Sequence, residues 1–169
     1  MSWIILLEIG IIAIAIGVWY LLKKQKYKKP TISFAVLFIS VLLFEIVSEP
    51  MWKNNLLDGW AYIYRDVSWV ITLGWVIIFF ISFYLVDKKW PKLSEGKKFW
   101  LYLAALTIIT TPIEVILLSA GIREYSSVLT QTMSGILIPL TSAPIEIILT
   151  IPLIGALVIP FYKVLMRLV

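Results

Sequence analysis

Five of the ten acidic residues of this 169-residue chain stand inside long apolar runs: Glu8, Glu45, Glu49, Glu114 and Glu146. A charge at the centre of a membrane helix costs roughly 2.5–3.5 kcal/mol on insertion scales, so such groups normally face a protein interior and mark a working site. Glu45 and Glu49 are four residues apart and fall on one helical face. Glu8 and Glu49 lie near the ends of their runs, where a carboxylate also reaches lipid headgroups. Burial raises a carboxyl pKa and a nearby Arg lowers it, so a mixed cluster can hold one Glu protonated as a general acid beside another kept ionised. If the chain acts on a lipid by acid catalysis, Glu114 or Glu146 is the expected proton donor. Glu45 and Asp66 are the expected stabilisers of a cationic intermediate, with Tyr62, Trp69 and Trp75 as cation–π walls. Glu49, Arg65, Arg123 and Tyr125 complete the expected substrate-binding rim; the Arg65-Asp66 and Arg123-Glu124 pairs also suit interfacial anchors.

The chemistry is narrowed by what the chain lacks. It has no cysteine and no histidine, which removes disulfides, thiolate metal sites, imidazole ligands and a His general base. No metal and no cofactor is expected. Carboxylate, Arg, Lys, Tyr and hydroxyl groups remain.

The elements that must position these groups are transmembrane helices. The chain is 61% hydrophobic and 15% charged, whereas soluble domains are about 45–50% apolar and about 25% charged. Apolar runs long enough to cross a hydrocarbon core of about 30 Å cover residues 3–22, 31–52, 67–86, 99–119 and 143–162. No basic stretch precedes the first run and no small-residue cleavage site follows it, so a retained helix is expected. Pro30 suits the first turn of the second helix. The aromatic loop 53–66 suits a headgroup-level belt or an interfacial helix. Residues 128–142, which include Gly135 and Pro139, are expected to form a polar-faced or re-entrant piece before the last span; two full spans after residue 128 are the rival. The predicted fold is all-α, a single polytopic bundle over residues 1–169 with about five spans.

Basic residues orient it. With five spans, 12 of the 15 Lys and Arg gather on one side, and only Lys53, Arg65 and Arg123 fall on the other. The positive-inside rule then places the N-terminus outside and the C-terminus in the cytoplasm, with all five intramembrane carboxylates in the outer half. The net charge of +5 reads as topology and attraction to anionic lipid, so no nucleic-acid partner is expected. Ile- and Lys-rich usage fits the cell membrane of a thermophilic prokaryote.

Two short segments match. Thr111-Pro112-Ile113-Glu114-Val115-Ile116-Leu117 aligns with Ala143-Pro144-Ile145-Glu146-Ile147-Ile148-Leu149, each a proline followed two residues later by a carboxylate. An internal repeat of the kind found in transporters would produce this; so would shared composition in an Ile-rich chain. Tyr125, then Gly135-Ile136, then Pro144-Ile145-Glu146 follow an order that resembles the lycopene-cyclase type of membrane terpenoid cyclase, whose motif is Pro-(Ile/Leu)-Glu-Glu after an aromatic loop and a glycine-led helix. The resemblance covers residues 121–151, and Pro112-Ile113-Glu114 echoes it. It departs at the second carboxylate, which is Val115 in one copy and Ile147 in the other. It implies a small bundle that protonates a bound isoprenoid with a buried carboxylic acid.

Three functions therefore stand as expectations. The first is binding of an isoprenoid or other lipid, or its acid-catalysed cyclisation or isomerisation, which requires an apolar pocket open to lipid beside the carboxylates. The second is a small transporter or channel for protons, cations or a cationic solute, which requires a water-connected cavity at Glu45, Glu114 and Glu146. The third is a non-catalytic subunit of a larger membrane complex. The expected partners are membrane lipids, a hydrophobic or cationic small molecule, and further copies or subunits.

Overall fold

The computed structural model describes residues 3–25 and 29–169. Five long helices carry the fold: α1 (Trp3–Lys24), α2 (Pro30–Ser48), α3 (Trp69–Lys89), α4 (Glu95–Ser119) and α6 (Ile147–Leu168), with a single short turn of helix, α5 (Ser127–Thr130), between the last two. All five are long and apolar enough to span a bilayer. The chain is an integral, multi-pass membrane protein built as an all-α bundle.

The apolar distribution around each helix explains the arrangement. α3 is apolar on nearly every side, the pattern of a helix enclosed by others, and it packs against α1, α2 and α4. Its buried residues include Val70, Val76, Phe79, Phe80 and Phe83. Its start is set by Ser68, whose hydroxyl accepts from Ile71 N at 3.4 Å, satisfying one orphan donor of the first turn. α2 begins with Pro30 after Lys29 at φ 47°. α6 closes the bundle against α2 and α4. Gly155 permits that approach, because a Cβ there would lie 2.7 Å from Leu106 Cδ2 and 2.8 Å from Leu103 Cδ2.

The ends of the bundle differ. One end collects Lys23, Lys24, Lys88, Lys89, Lys97, Lys98, Lys163 and Arg167. At the other, the connections 49–68 and 120–146 fold over the helices. Strand β1 (Trp52–Asn54) pairs antiparallel with β4 (Arg123–Tyr125), setting Trp52 opposite Tyr125, Lys53 opposite Glu124 and Asn54 opposite Arg123. β2 (Tyr62–Tyr64) and β3 (Val67–Ser68) form a second small ribbon. These ribbons stand in place of the headgroup-level belt or interfacial helix expected over 53–66.

Span boundaries also shift. α3 runs to Lys89, α4 starts at Glu95 and α6 continues to Leu168, because polar turns of helix extend past the apolar runs. α2 ends at Ser48 and α6 begins at Ile147, where Pro50 and Pro144 interrupt the helical ladder. Residues 128–146 hold α5, turns and one isolated bridge between Leu137 and Pro144. No long helix forms there, and a sixth span is not seen among the described residues.

Candidate functional site

The ribbon end brings three of the predicted charges together. Glu45 comes from the last turns of α2, Glu114 from α4 after Pro112, and Arg123 from β4. The Arg123 Nη1 to Glu114 Oε2 distance is 3.2 Å, with both side chains less than one-tenth exposed. Arg123 lies 4.6 Å over the Trp52 ring, a cation–π contact that also shields it from above. Glu45 sits close enough for a Coulombic pull from Arg123. One of its oxygens accepts from the Thr72 hydroxyl of α3, while Thr72 Oγ1 also lies 3.0 Å from Ser68 O. Two carboxylates thus share one buried guanidinium, an arrangement that leaves Glu45 without a cation in direct contact.

Several polar atoms of this cluster find no partner. Glu45 Oε1, Arg123 Nε and Thr110 Oγ1 are buried and unbonded. Buried polar atoms usually have a partner, and these three lack one within the protein. A cavity of about 10 Å³, room for about one water, lies beside Glu114 and Arg123. Trp52, Trp75, Tyr125, Thr150 and Ile151 are among the other residues of its wall. Burial, and next the negative charge of Glu114, push the Tyr125 phenol well above the ordinary tyrosine range; it is held neutral there.

A second feature lies on the lipid side of the same helix. Ser40, Leu43, Phe44 and Val47 of α2 and Leu157, Val158 and Phe161 of α6 line an open, mainly apolar groove of about 320 Å³. Phe44 lines this groove and Trp52 lines the inner cavity. Their ring centroids are 6.2 Å apart, so this aromatic pair links the groove lining to the lining of the inner cavity.

The other predicted residues are distributed around this centre. Arg65 reaches Glu49 at 3.7 Å on the exposed rim and stacks 5.2 Å over Tyr64. Tyr62 donates its hydroxyl to Asn54 O, and burial raises its pKa. Asp66 serves through its backbone carbonyl, which accepts from Asn54 Nδ2 at 2.6 Å. Trp69 Nε1 donates to Trp60 O at 2.9 Å. Tyr62, Asp66 and Trp69 therefore tie the 52–68 connection together, and of the three predicted aromatic walls only Trp75 lines the inner cavity. Glu146 precedes α6 and accepts from Ser134 N at 2.6 Å, away from the Arg123 contact. Glu8 is fully buried in α1 and accepts from Asp58 N at 2.9 Å, fastening that connection to the first helix.

Thr72, Trp52 and Thr110 were not singled out in the sequence. Thr72 carried a signal, since it is a hydroxyl inside an otherwise apolar run; Trp52 was hidden among eight tryptophans that read as interface anchors. Among the described residues, no group of three or more Asp and Glu is placed to hold a metal ion. No family model matches this chain, and neither a curated protein nor a solved structure matches it.

Proposed function

We propose that this membrane protein binds an isoprenoid or other long-chain lipid in the α2–α6 groove and isomerises or cyclises it by acid catalysis. The observation that supports the reading is an apolar, lipid-facing groove on α2, the helix that carries buried Glu45, with its Phe44 ring 6.2 Å from the Trp52 ring of the inner cavity. Glu45 is the proton donor of this scheme. It has one oxygen fixed by Thr72 and one left free, and no direct ion pair. Glu114, paired with Arg123, stays ionised and opposes positive charge that develops nearby. Glu45 gives its proton to an alkene carbon; the resulting carbocation is attacked by a second alkene, forming a C–C bond. Loss of a ring proton to the Glu45 carboxylate then restores the acid, so no co-reactant is consumed. Trp52 and Trp75 supply π faces to the cation. The resemblance of residues 121–151 to membrane terpenoid cyclases supports the reaction class alone, since its carboxylate, Glu146, meets Ser134 and stands apart from Glu45. The transporter reading needs a water-connected cavity at the carboxylates. The space beside Glu114 measures about 10 Å³, while Arg123 and Tyr125 also line an open space of about 420 Å³ that Glu45, Glu114 and Glu146 do not line.

The test is mass spectrometry of apolar lipids that co-purify in mild detergent with the wild type, Glu45→Gln and Leu157→Trp. Leu157 is exposed in the groove, so tryptophan there blocks it without touching the charge cluster. The wild type should carry an isoprenoid product, Glu45→Gln the unconverted precursor, and Leu157→Trp neither. Bulk phospholipid alone in the wild type, or the same isoprenoid complement in all three, would overturn the proposal.

A further inference from the structure

At the basic end of the bundle, far from the charge cluster, α3 and α4 leave an open groove of about 710 Å³, within the size range of ligand pockets. Its floor and walls include Leu85 of α3 and Ala104, Ala105 and Ile108 of α4. The two alanines keep bulk out of the seam between the helices. Leu85 and Ile108 are exposed at its sides. From Leu101 to Ile109 the groove follows α4 for about 12 Å at the helical rise of 1.5 Å per residue, somewhat over a third of a hydrocarbon core. An acyl chain fits such a channel.

Its mouth is basic. Lys88, Lys89 and Trp90 form the rim. Lys88 Nζ donates to Tyr84 OH at 3.2 Å, and Lys89 Nζ lies 4.8 Å over the Trp90 ring. Neither ammonium meets a carboxylate among the described residues. The contrast with neighbouring lysines is informative: Lys98 holds Asp87 at 2.9 Å and Lys163 holds Glu95 at 2.8 Å. Both rim cations are thus supported by aromatic groups and left open to an anion, directly above an apolar channel, at the depth where tryptophan marks the headgroup layer.

We propose that this groove is a binding site for one anionic phospholipid of the leaflet at the basic end, its phosphate held by Lys88 and Lys89 and one acyl chain lying over Ala104 and Ala105. Charge complementarity selects the headgroup, and the apolar channel selects a lipid over a free phosphate ion.

The test is native mass spectrometry of the intact protein in detergent, titrated with dioleoyl phosphatidylglycerol or dioleoyl phosphatidylcholine. A basic residue near an anionic surface is worth about 1 kcal/mol, or about fivefold. Wild type should therefore bind phosphatidylglycerol well above phosphatidylcholine, and Lys88→Gln/Lys89→Gln should lose about thirtyfold in affinity for the anionic lipid alone. Ala104→Phe, at an exposed position in the channel, should weaken both lipids. Lys92→Gln/Lys97→Gln removes equal charge at the same end, outside the groove, and should leave binding unchanged. Equal binding of the two lipids overturns the proposal, as does an equal loss in the Lys92/Lys97 variant. Anionic binding that survives Ala104→Phe would mean that the phosphate is held without the channel, and a dimer broken by Ala104→Phe would mean that a second copy fills it; either result also overturns it.

Discussion

Replacing Arg123 by Met removes a buried cation of the ribbon end while keeping most of its apolar stem. At 3.2 Å from Glu114, with an effective dielectric of about 20, the gross attraction is about 5 kcal/mol. Much of that offsets desolvation of the two groups in the wild type. The relevant quantity is the cost of stranding the carboxylates, and breaking a buried pair from one side costs about 3–5 kcal/mol. Loss of the contact with Trp52 adds about 0.5–2 kcal/mol. Glu114 becomes an unpaired buried charge, and Glu45 loses the Coulombic pull it receives. The expected loss in Arg123→Met is therefore at least about 3 kcal/mol.

The companion variant decides the cause. Glu114→Met/Arg123→Met removes the pair as a unit, and apolar replacement of a buried pair is often neutral or stabilising. Most of the stability should return. Recovery should stop short of complete, because Glu45 keeps Thr72 but still lacks its cation. The assay is reversible unfolding in mixed micelles, followed by tryptophan fluorescence and hydrogen exchange of the β1–β4 amides. Single-variant losses that simply add in the double variant, to within about 0.5 kcal/mol, would refute the reasoning. So would an Arg123→Met protein within about 1 kcal/mol of wild type, since a charge that leaves so cheaply is not the partner of two carboxylates.

Three further outcomes follow from the geometry. Gly155→Val should separate α4 from α6, because a Cβ already meets Leu106 and Leu103 side chains at 2.7 and 2.8 Å; a loss of about 1–3 kcal/mol is expected, with partial rescue by Leu106→Ala measured in the same unfolding assay. Glu8→Leu removes the acceptor of Asp58 N and should cost about 1–3 kcal/mol, visible as faster amide exchange at Asp58 with the helices still protected. The Tyr125 phenol is held neutral in the fold, so the stability it supports is complete below the unfolded tyrosine value of about 10 and declines as pH rises above it. Tyr62 contributes with the same sign; Tyr125→Phe should flatten, but not abolish, the decline measured between pH 9 and 11.

The helices were legible because length and apolarity are local properties. A run such as 67–86 announces a span whatever surrounds it. The polar ends were harder. Glu95 to Lys98 reads as a loop from composition, yet it forms the first turn of α4, where Lys98 holds Asp87 and Lys163 holds Glu95. Those pairs join residues from different helices and leave no local trace. The β1–β4 ribbon is the same case. Three residues on each side, Trp52–Asn54 and Arg123–Tyr125, are too few for a strand period, and their pairing is decided by where α2 and α4 deliver the chain.

The two Pro-Ile-Glu segments show why the site itself was only half legible. Their local chemistry is the same, yet the first continues a helix and the second ends a turn. Pro112 follows an unbroken helix that starts at Glu95, and α4 accommodates it. Pro144 follows Gly135, Pro139 and Ser142, which leave no helix to continue, and it closes a bridge with Leu137 instead. Glu114 consequently faces inward and meets Arg123, while Glu146 meets Ser134. The carboxylate's role is set by whether a buried cation reaches it, and that cation arrives on a strand aligned by residues 52–54. A motif names the groups available for chemistry. The bundle decides which of them are buried together, and here it selects Glu45 and Glu114 and sets Glu146 apart.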